Sequence, residues 1–226
     1  MTKLRVPLAG LVFLLASGMV MAQFHRKIRS EEPEPIAPPP FDHYALELSW
    51  APNFCAQPDA AAADPKECAP GRGIGFVVHG FRPESGDGKG LAGCGPAKPV
   101  SKPVVNMVLR YMLTPDRIQR TWATEGICSG LQPGEYFGNI LQTRTGVQIP
   151  VQITSAEGIV METPEQIETQ FAGANPTFPK AAFRTSCVGG ALEETRICFD
   201  KALKPQACPA GEAECSTQAI LIRSPR

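Results

Sequence analysis

The sequence predicts an α+β domain with a central, largely antiparallel sheet flanked by helices and closed by disulfide bonds. Segments of period two and segments of helical period are grouped along the chain as much as alternated, which favours segregated strands and helices over a parallel α/β sheet. Eight cysteines stand at positions 55, 68, 94, 128, 187, 198, 208 and 215, and an even number in an exported chain reads as a disulfide framework. Close C-x-x-C pairs with neighbouring histidines are missing, so zinc is disfavoured, and spacing by itself leaves the pairing open. Pro 23 and Gly 21 among 226 residues, with only 19% charged residues, describe a loop-rich globular chain and exclude a coiled coil or a polytopic membrane protein.

The chain opens on Met1-Thr-Lys-Leu-Arg5 and an apolar run over 6–21, with Val20 and Ala22 at the positions a signal peptidase reads. Residues 1–22 are therefore expected to be a signal peptide, with Gln23 the first mature residue. The run contains Pro7, Gly10 and Gly18, and it falls short of the roughly 20 residues of a membrane span. The expected product is exported to the periplasm or the extracellular space, with no membrane attachment after cleavage. Lys+Arg and Asp+Glu both number 22. Lys3 and Arg5 belong to the leader, so the remainder carries a slight excess of acid, which argues against a nonspecific nucleic-acid coat. Residues 23–41 run through Glu31-Glu-Pro-Glu-Pro-Ile-Ala-Pro-Pro-Pro40, too polar and proline-rich to bury a core, and read as a flexible tail before a folded domain over 42–226.

Within the domain, Tyr44, Leu46, Leu48 and Trp50 alternate with Ala45, Glu47 and Ser49, the pattern of a half-buried strand. The apolar run 74–81 suits a buried central strand and ends in a loop at Arg82-Pro83-Glu-Ser-Gly-Asp-Gly. Val105, Val108, Leu109 and Met112 are spaced as on one helix face, and further helices are expected over 115–125 and 133–143. Residues 147–154 read as strand. Thr163-Pro164-Glu-Gln166 is a capping box that starts a helix to about 172. Strands over 181–188 and 191–199 are joined by Gly189-Gly190, a hairpin turn signal.

Chemistry concentrates at one histidine. His25 lies in the tail and His43 beside the first strand, where a surface or strand-edge role is expected; His79 ends an apolar strand and precedes Gly80, which lets another group approach closely. Phe76-Val-Val-His-Gly-Phe-Arg-Pro83 resembles the first signature of the ribonuclease T2 family, aromatic-x-Ile-His-Gly-Leu-Trp-Pro. Arg120-Thr-Trp-Ala-Thr-Glu-Gly-Ile-Cys-Ser-Gly-Leu131 resembles the second, His-Glu-Trp-x-Lys-His-Gly-Thr-Cys. Leu46-Glu-Leu-Ser-Trp-Ala-Pro-Asn-Phe-Cys55 is similar to the family's first strand, and Tyr136-Phe137, Asn175-Pro176, Arg196-Ile-Cys-Phe-Asp-Lys201 and Cys208-Pro209 follow in the expected order. The resemblance implies a ribonuclease T2-type fold and the disulfides Cys55–Cys68, Cys94–Cys128, Cys187–Cys215 and Cys198–Cys208. It also implies a monomer without cofactor or metal, acting on single-stranded RNA or nucleotides and without DNA-specific binding.

The same resemblance marks where this chain departs. The family cleaves RNA without metal: a base takes the 2′-hydroxyl proton, the 2′-oxygen attacks phosphorus, an acid protonates the leaving 5′-oxygen, and a 2′,3′-cyclic phosphate results. His79 matches the acid. In the second signature Arg120, Thr121, Thr124 and Glu125 stand for His, Glu, Lys and His, while Trp122, Gly126 and Cys128 keep the register. Arg82 replaces a base-stacking tryptophan and Glu84 a base-recognising aspartate; Trp50, Arg82 and Glu84 are the candidate base-binding residues. Two readings follow. In one, Glu125 serves as replacement base with Arg82 or Arg120 as the cation, a set analogous to the unrelated guanyl-type ribonucleases. In the other, the domain is a pseudo-ribonuclease that binds RNA or nucleotide or serves as a structural partner. Loss of both base and lysine weighs toward an impaired or inactive enzyme.

Overall fold

Strand β1 (His43–Trp50) carries the domain because it pairs on both sides. Antiparallel ladders join it to β2 (Phe76–Glu84) and β5 (Ala191–Asp200). The computed structural model describes residues 39–209, 215 and 219–225; the expected signal peptide and most of the expected tail lie outside the described residues. The sheet order is β2-β1-β5-β6-β3, where β6 is Ile220–Arg223 and β3 is Ile159–Glu162, and β4 (Phe183–Val188) pairs with β5 as the expected hairpin. Among the described residues, only the Ala191–Leu221 pairing of β5 with β6 is parallel.

Two short helical turns, α1 (Ala51–Phe54) and α2 (Ala60–Ala63), follow β1. The longer helices are α3 (Lys102–Met112), α4 (Pro115–Thr124) and α5 (Pro133–Gly146), then the short α6 (Val151–Thr154) and α7 (Pro164–Ala174). Proline opens several of them, where its missing N–H costs no intrahelical bond. Thr114 accepts the Arg117 amide at 3.2 Å, and Thr163 and Gln166 form a reciprocal capping box. The core lies between one sheet face and these helices. Leu46, Leu48, Trp50 and Phe81 meet Val108 and Met112 of α3, Ile118 and Trp122 of α4, Tyr136 and Ile140 of α5 and Phe171 of α7.

Four differences from the sequence reading have identifiable causes. All eight residues of β1 are buried, not one face only, because the polar face is covered by paired charges rather than by water. Strand β2 lies at the sheet edge and runs on through Arg82, Pro83 and Glu84; an edge strand tolerates proline. The Thr121 hydroxyl donates to the His79 carbonyl (3.3 Å) and the Tyr136 hydroxyl to the Phe81 carbonyl (2.8 Å), so side chains of the helices satisfy carbonyls of this strand. Residues 147–154 are not a strand: the side chain of Asn175 bonds the Gln148 amide and carbonyl at 2.8 Å each, and α6 starts after Pro150. Strands β3 and β6 are too short to stand out by periodicity. The disulfides pair Cys55–Cys68, Cys94–Cys128, Cys187–Cys215 and Cys198–Cys208. Among the described residues, no helix is long and apolar enough to cross a membrane.

Gly126, where α4 turns into a 3₁₀ segment (Gly126–Ser129), has no room for a side chain. A Cβ there would lie 2.5 Å from the Trp122 ring and 2.9 Å from the Tyr136 ring. Gly126→Ala is expected to destabilise by about 1–3 kcal/mol through overpacking, and Trp50→Ala by about 3–5 kcal/mol through a cavity, both read from urea unfolding midpoints.

Candidate active site

The site begins with a β-bulge. Glu47 pairs with Gly80 and Leu48 with Val78, so His79 is the extra residue of β2. Val78 and Phe81 both enter the core although three positions apart. The bulge takes up the difference and leaves His79 and Gly80 together on the face that also carries Arg82 and Glu84.

That face holds a lattice of charge. Glu47, on β1 between Gly80 and Arg196, accepts from Arg82 Nη2 at 2.7 Å and from Arg196 Nη2 at 3.3 Å through Oε1. Arg196 Nη1 lies 3.5 Å from Glu84 Oε1, and His43 Nε2 lies 3.0 Å from Glu84 Oε2. Burial pushes the Glu47 carboxyl above the usual carboxylate range, although Arg82 and Arg196 pull the other way.

From the helix side, Glu125 at the C-terminal cap of α4 comes down over the same glycine. A Cβ on Gly80 would sit 2.6 Å from Glu47 Oε2 and 2.8 Å from Glu125 Oε2, so only glycine lets both carboxylates close on the strand. Glu125 Oε1 is 3.9 Å from Arg82 Nε. Burial, and next the charge of Glu47, raise the Glu125 carboxyl to about 7 against the opposing pull of Arg82 and the Phe81 amide.

His79 faces a carboxylate at each ring nitrogen: Glu67 Oε2 at 3.5 Å from Nε2 and Glu194 Oε1 at 3.7 Å from Nδ1. Phe54 meets the ring edge-on at 5.8 Å. Glu67 is held by Arg117 Nη2 at 2.5 Å, and the same nitrogen donates to Asp64 at 2.7 Å. Burial disfavours the charged form of Glu67, but the hydrogen bonds and charges of His79 and Arg117 outweigh it and keep its carboxyl below the ordinary range. Glu194 is pushed up to about 8 by burial and by the charges of Glu47 and Glu193. Beside it opens a cavity of about 350 Å³ lined by Glu84, Arg184, Ser186, Glu193, Glu194 and Arg196.

Of the sequence-derived set, the Glu125 carboxyl lies over Gly80 and 3.9 Å from Arg82, while the ring of His79, the residue before that glycine, faces Glu67 and Glu194. Arg120 does not join them; it is exposed on α4 and forms no ion pair among the described residues. The expectation for Trp50 is corrected: the ring is fully buried against Phe76 and its indole N–H donates to the Arg223 carbonyl at 3.0 Å, so it offers no face to a base. Glu84 is buried between His43 and Arg196 in the charge lattice and borders the cavity beside Glu194, and His43 is a buried residue rather than a surface one. Sequence reading missed Glu47, Glu67, Arg117, Glu194 and Arg196. Glu47 and Arg196 sit on strands at positions whose polarity reads as solvent-facing, and nothing local marks Glu67 in its turn-rich loop. Among the described residues no group of three or more His, Cys, Asp or Glu is arranged to hold a metal ion.

Two measurements check this geometry. The Glu125 carboxyl should titrate near 7 by ¹³C NMR, and Glu47→Gln should lower it, because a negative neighbour is removed while Arg82 remains. Gly80→Ala should keep the fold but shift the Glu47 and Glu125 carboxyl resonances, since neither can hold its place against a Cβ.

No protein-family model matches the chain. A curated protein described as a probable ribonuclease, from Haemophilus influenzae, is 24% identical over 202 residues, covering 84% of this chain and 69% of that protein. The RNase-related protein from Calystegia sepium superposes with a TM-score of 0.64 at 20% identity, covering 83% of this chain and all of the other. RNase NT in complex with 5′-AMP superposes with a TM-score of 0.61 at 16% identity, over 83% of this chain and 99% of its own. With the six-stranded sheet, its helices and its four disulfides, these likenesses establish that the chain has the ribonuclease T2-type fold.

Proposed function

We propose that this chain is an exported, metal-independent endoribonuclease whose acid–base pair is His79 and Glu125 and whose phosphate-side cation is Arg82. The placement of His79 and Arg82 on β2 to either side of Gly80, with the Glu125 carboxyl over that glycine and 3.9 Å from Arg82, carries the reading. Transphosphorylation needs a proton acceptor, a proton donor and positive charge at the phosphorane. Acceptor and donor work from opposite sides of the phosphorus, so they need to flank a substrate rather than touch. The side chains of Glu125, His79 and Arg82 are 16%, 23% and 31% exposed, open enough to meet a phosphodiester. A carboxyl poised near 7 suits a general base working near neutral pH. Glu125 takes the 2′-hydroxyl proton, the 2′-oxygen attacks phosphorus, Arg82 faces the charge on the non-bridging oxygens, and His79 protonates the departing 5′-oxygen. The product is a 2′,3′-cyclic phosphate. Solved relatives of the same fold are described in complex with nucleoside 5′-monophosphates, which supports ribonucleotides as the ligand class. Four disulfides suit an oxidising outer compartment.

One observation favours a second reading, a nucleotide-binding protein without turnover. The 2.7 Å pairing of Arg82 with buried Glu47 shares out the charge that a phosphorane needs.

The test is incubation of oxidised protein, residues 23–226, with single-stranded RNA in EDTA, followed by analysis of the product ends. Cyclic phosphate termini are expected, with about 10²–10⁴-fold loss in both His79→Ala and Glu125→Gln. Because Glu125 must be ionised to act, the rate should fall as pH drops below about 7. Wild-type turnover no greater than that of His79→Ala would leave the binding reading.

A further inference from the structure

The two carboxylates at the His79 ring differ in kind. Glu194 is partly exposed and lines the cavity. Glu67 is fully buried as a side chain and fixed from several directions. Arg117 bonds its Oε2 and also Asp64, and Asp64 Oδ1 accepts the Glu67 backbone amide at 2.9 Å. Arg117 is itself anchored on the Met112 carbonyl at 3.3 Å. Cys68, the next residue, is tied by disulfide to Cys55, which follows the Phe54 ring at the edge of His79. Although Glu67 borders a second cavity of about 430 Å³, which His79 does not line, its side chain is fully buried and held on Arg117, so its reach to the chemistry runs through His79.

We propose that Glu67 is the positioning residue for His79: it holds the Nε2–H, and thereby leaves Nδ1, on the Glu194 side by the cavity, as the nitrogen that exchanges a proton with substrate. The inference rests on the ribonuclease reading and names the working atom of its acid. The doubly protonated ring gives its Nδ1 proton to the 5′-oxygen as the bond from phosphorus to that oxygen breaks and the bond to the 2′-oxygen forms. The ring is left neutral, with its remaining proton on Nε2 facing Glu67. A buried carboxylate that fixes a histidine tautomer is the same physical device as the orienting acid of a catalytic triad.

Long-range ¹H–¹⁵N NMR of the ring nitrogens in oxidised, ¹⁵N-labelled protein, assigned with His79→Gln, reads the tautomer directly. At a pH where the ring is neutral, Nε2 should carry the proton and Nδ1 should show the shift of an unprotonated nitrogen. Glu67→Gln should alter that ring signature and lower kcat on RNA about 10-fold or more with KM little changed, within the range acid–base catalysis supplies, and Glu67→Asp should restore part of the loss. A wild-type ring protonated at Nδ1, or a Glu67→Gln variant with unaltered ring shifts, overturns the proposal. A wild-type ring protonated at Nδ1 overturns the proposal even where Glu67→Gln fails to fold, and Glu67→Asp then supplies the second variant. If the wild-type protein cleaves no RNA, the ribonuclease reading fails while the ring shifts still judge the role of Glu67.

Discussion

A single buried carboxylate, Glu47, sets the arrangement on the functional face of the sheet. It stands in the middle of β1, where alternation calls for a solvent-facing residue, yet it is enclosed. An isolated charge in that position would be costly, and its two arginine neighbours make it tolerable. Arg82 and Arg196 are drawn in from the strands on either side, and Arg196 reaches on to Glu84, which meets His43. The bulge at His79 and the bare Cα of Gly80 follow from the same centre, since Gly80 must leave space for Glu47 and Glu125 together. Breaking one member of such a network strands its partners, so the lattice holds as a unit.

This arrangement explains how a domain can depart from the second ribonuclease T2 signature that it resembles and keep the fold. Trp122, Gly126 and Cys128 pack or cross-link as the fold requires, whereas Thr121 and Glu125 occupy positions from which they reach β2. Thr121 satisfies the His79 carbonyl, and Glu125 gains its raised carboxyl from burial beside Glu47. Glu125 thus stands over a strand whose Arg82 is already engaged by Glu47.

Much of the fold was legible in the sequence because it rests on local physics. The alternation of Tyr44, Leu46, Leu48 and Trp50, the prolines and capping hydroxyls before α4 and α7, and the Gly189-Gly190 turn each fix an element by short-range chemistry. The disulfide pairing was legible only through resemblance, since spacing could not select it. What stayed hidden depends on contacts distant in sequence. Glu67 meets His79 across 12 residues and Arg117 across 50, and Arg196 meets Glu47 across 149. Trp50 misled for the converse reason: a tryptophan near a nucleotide site reads as a stacking platform, while its neighbours in the fold make it core.

The roles proposed for His79, protonating the leaving oxygen, and for Glu125, activating the 2′-hydroxyl, are separated by an RNA dinucleotide whose bridging 5′-oxygen is replaced by sulfur. A thiolate leaves without needing a proton. His79→Ala is expected to regain most of the wild-type rate on this substrate while Glu125→Gln stays slow. Equal impairment of both variants on the sulfur substrate, or recovery of Glu125→Gln instead, would contradict those roles.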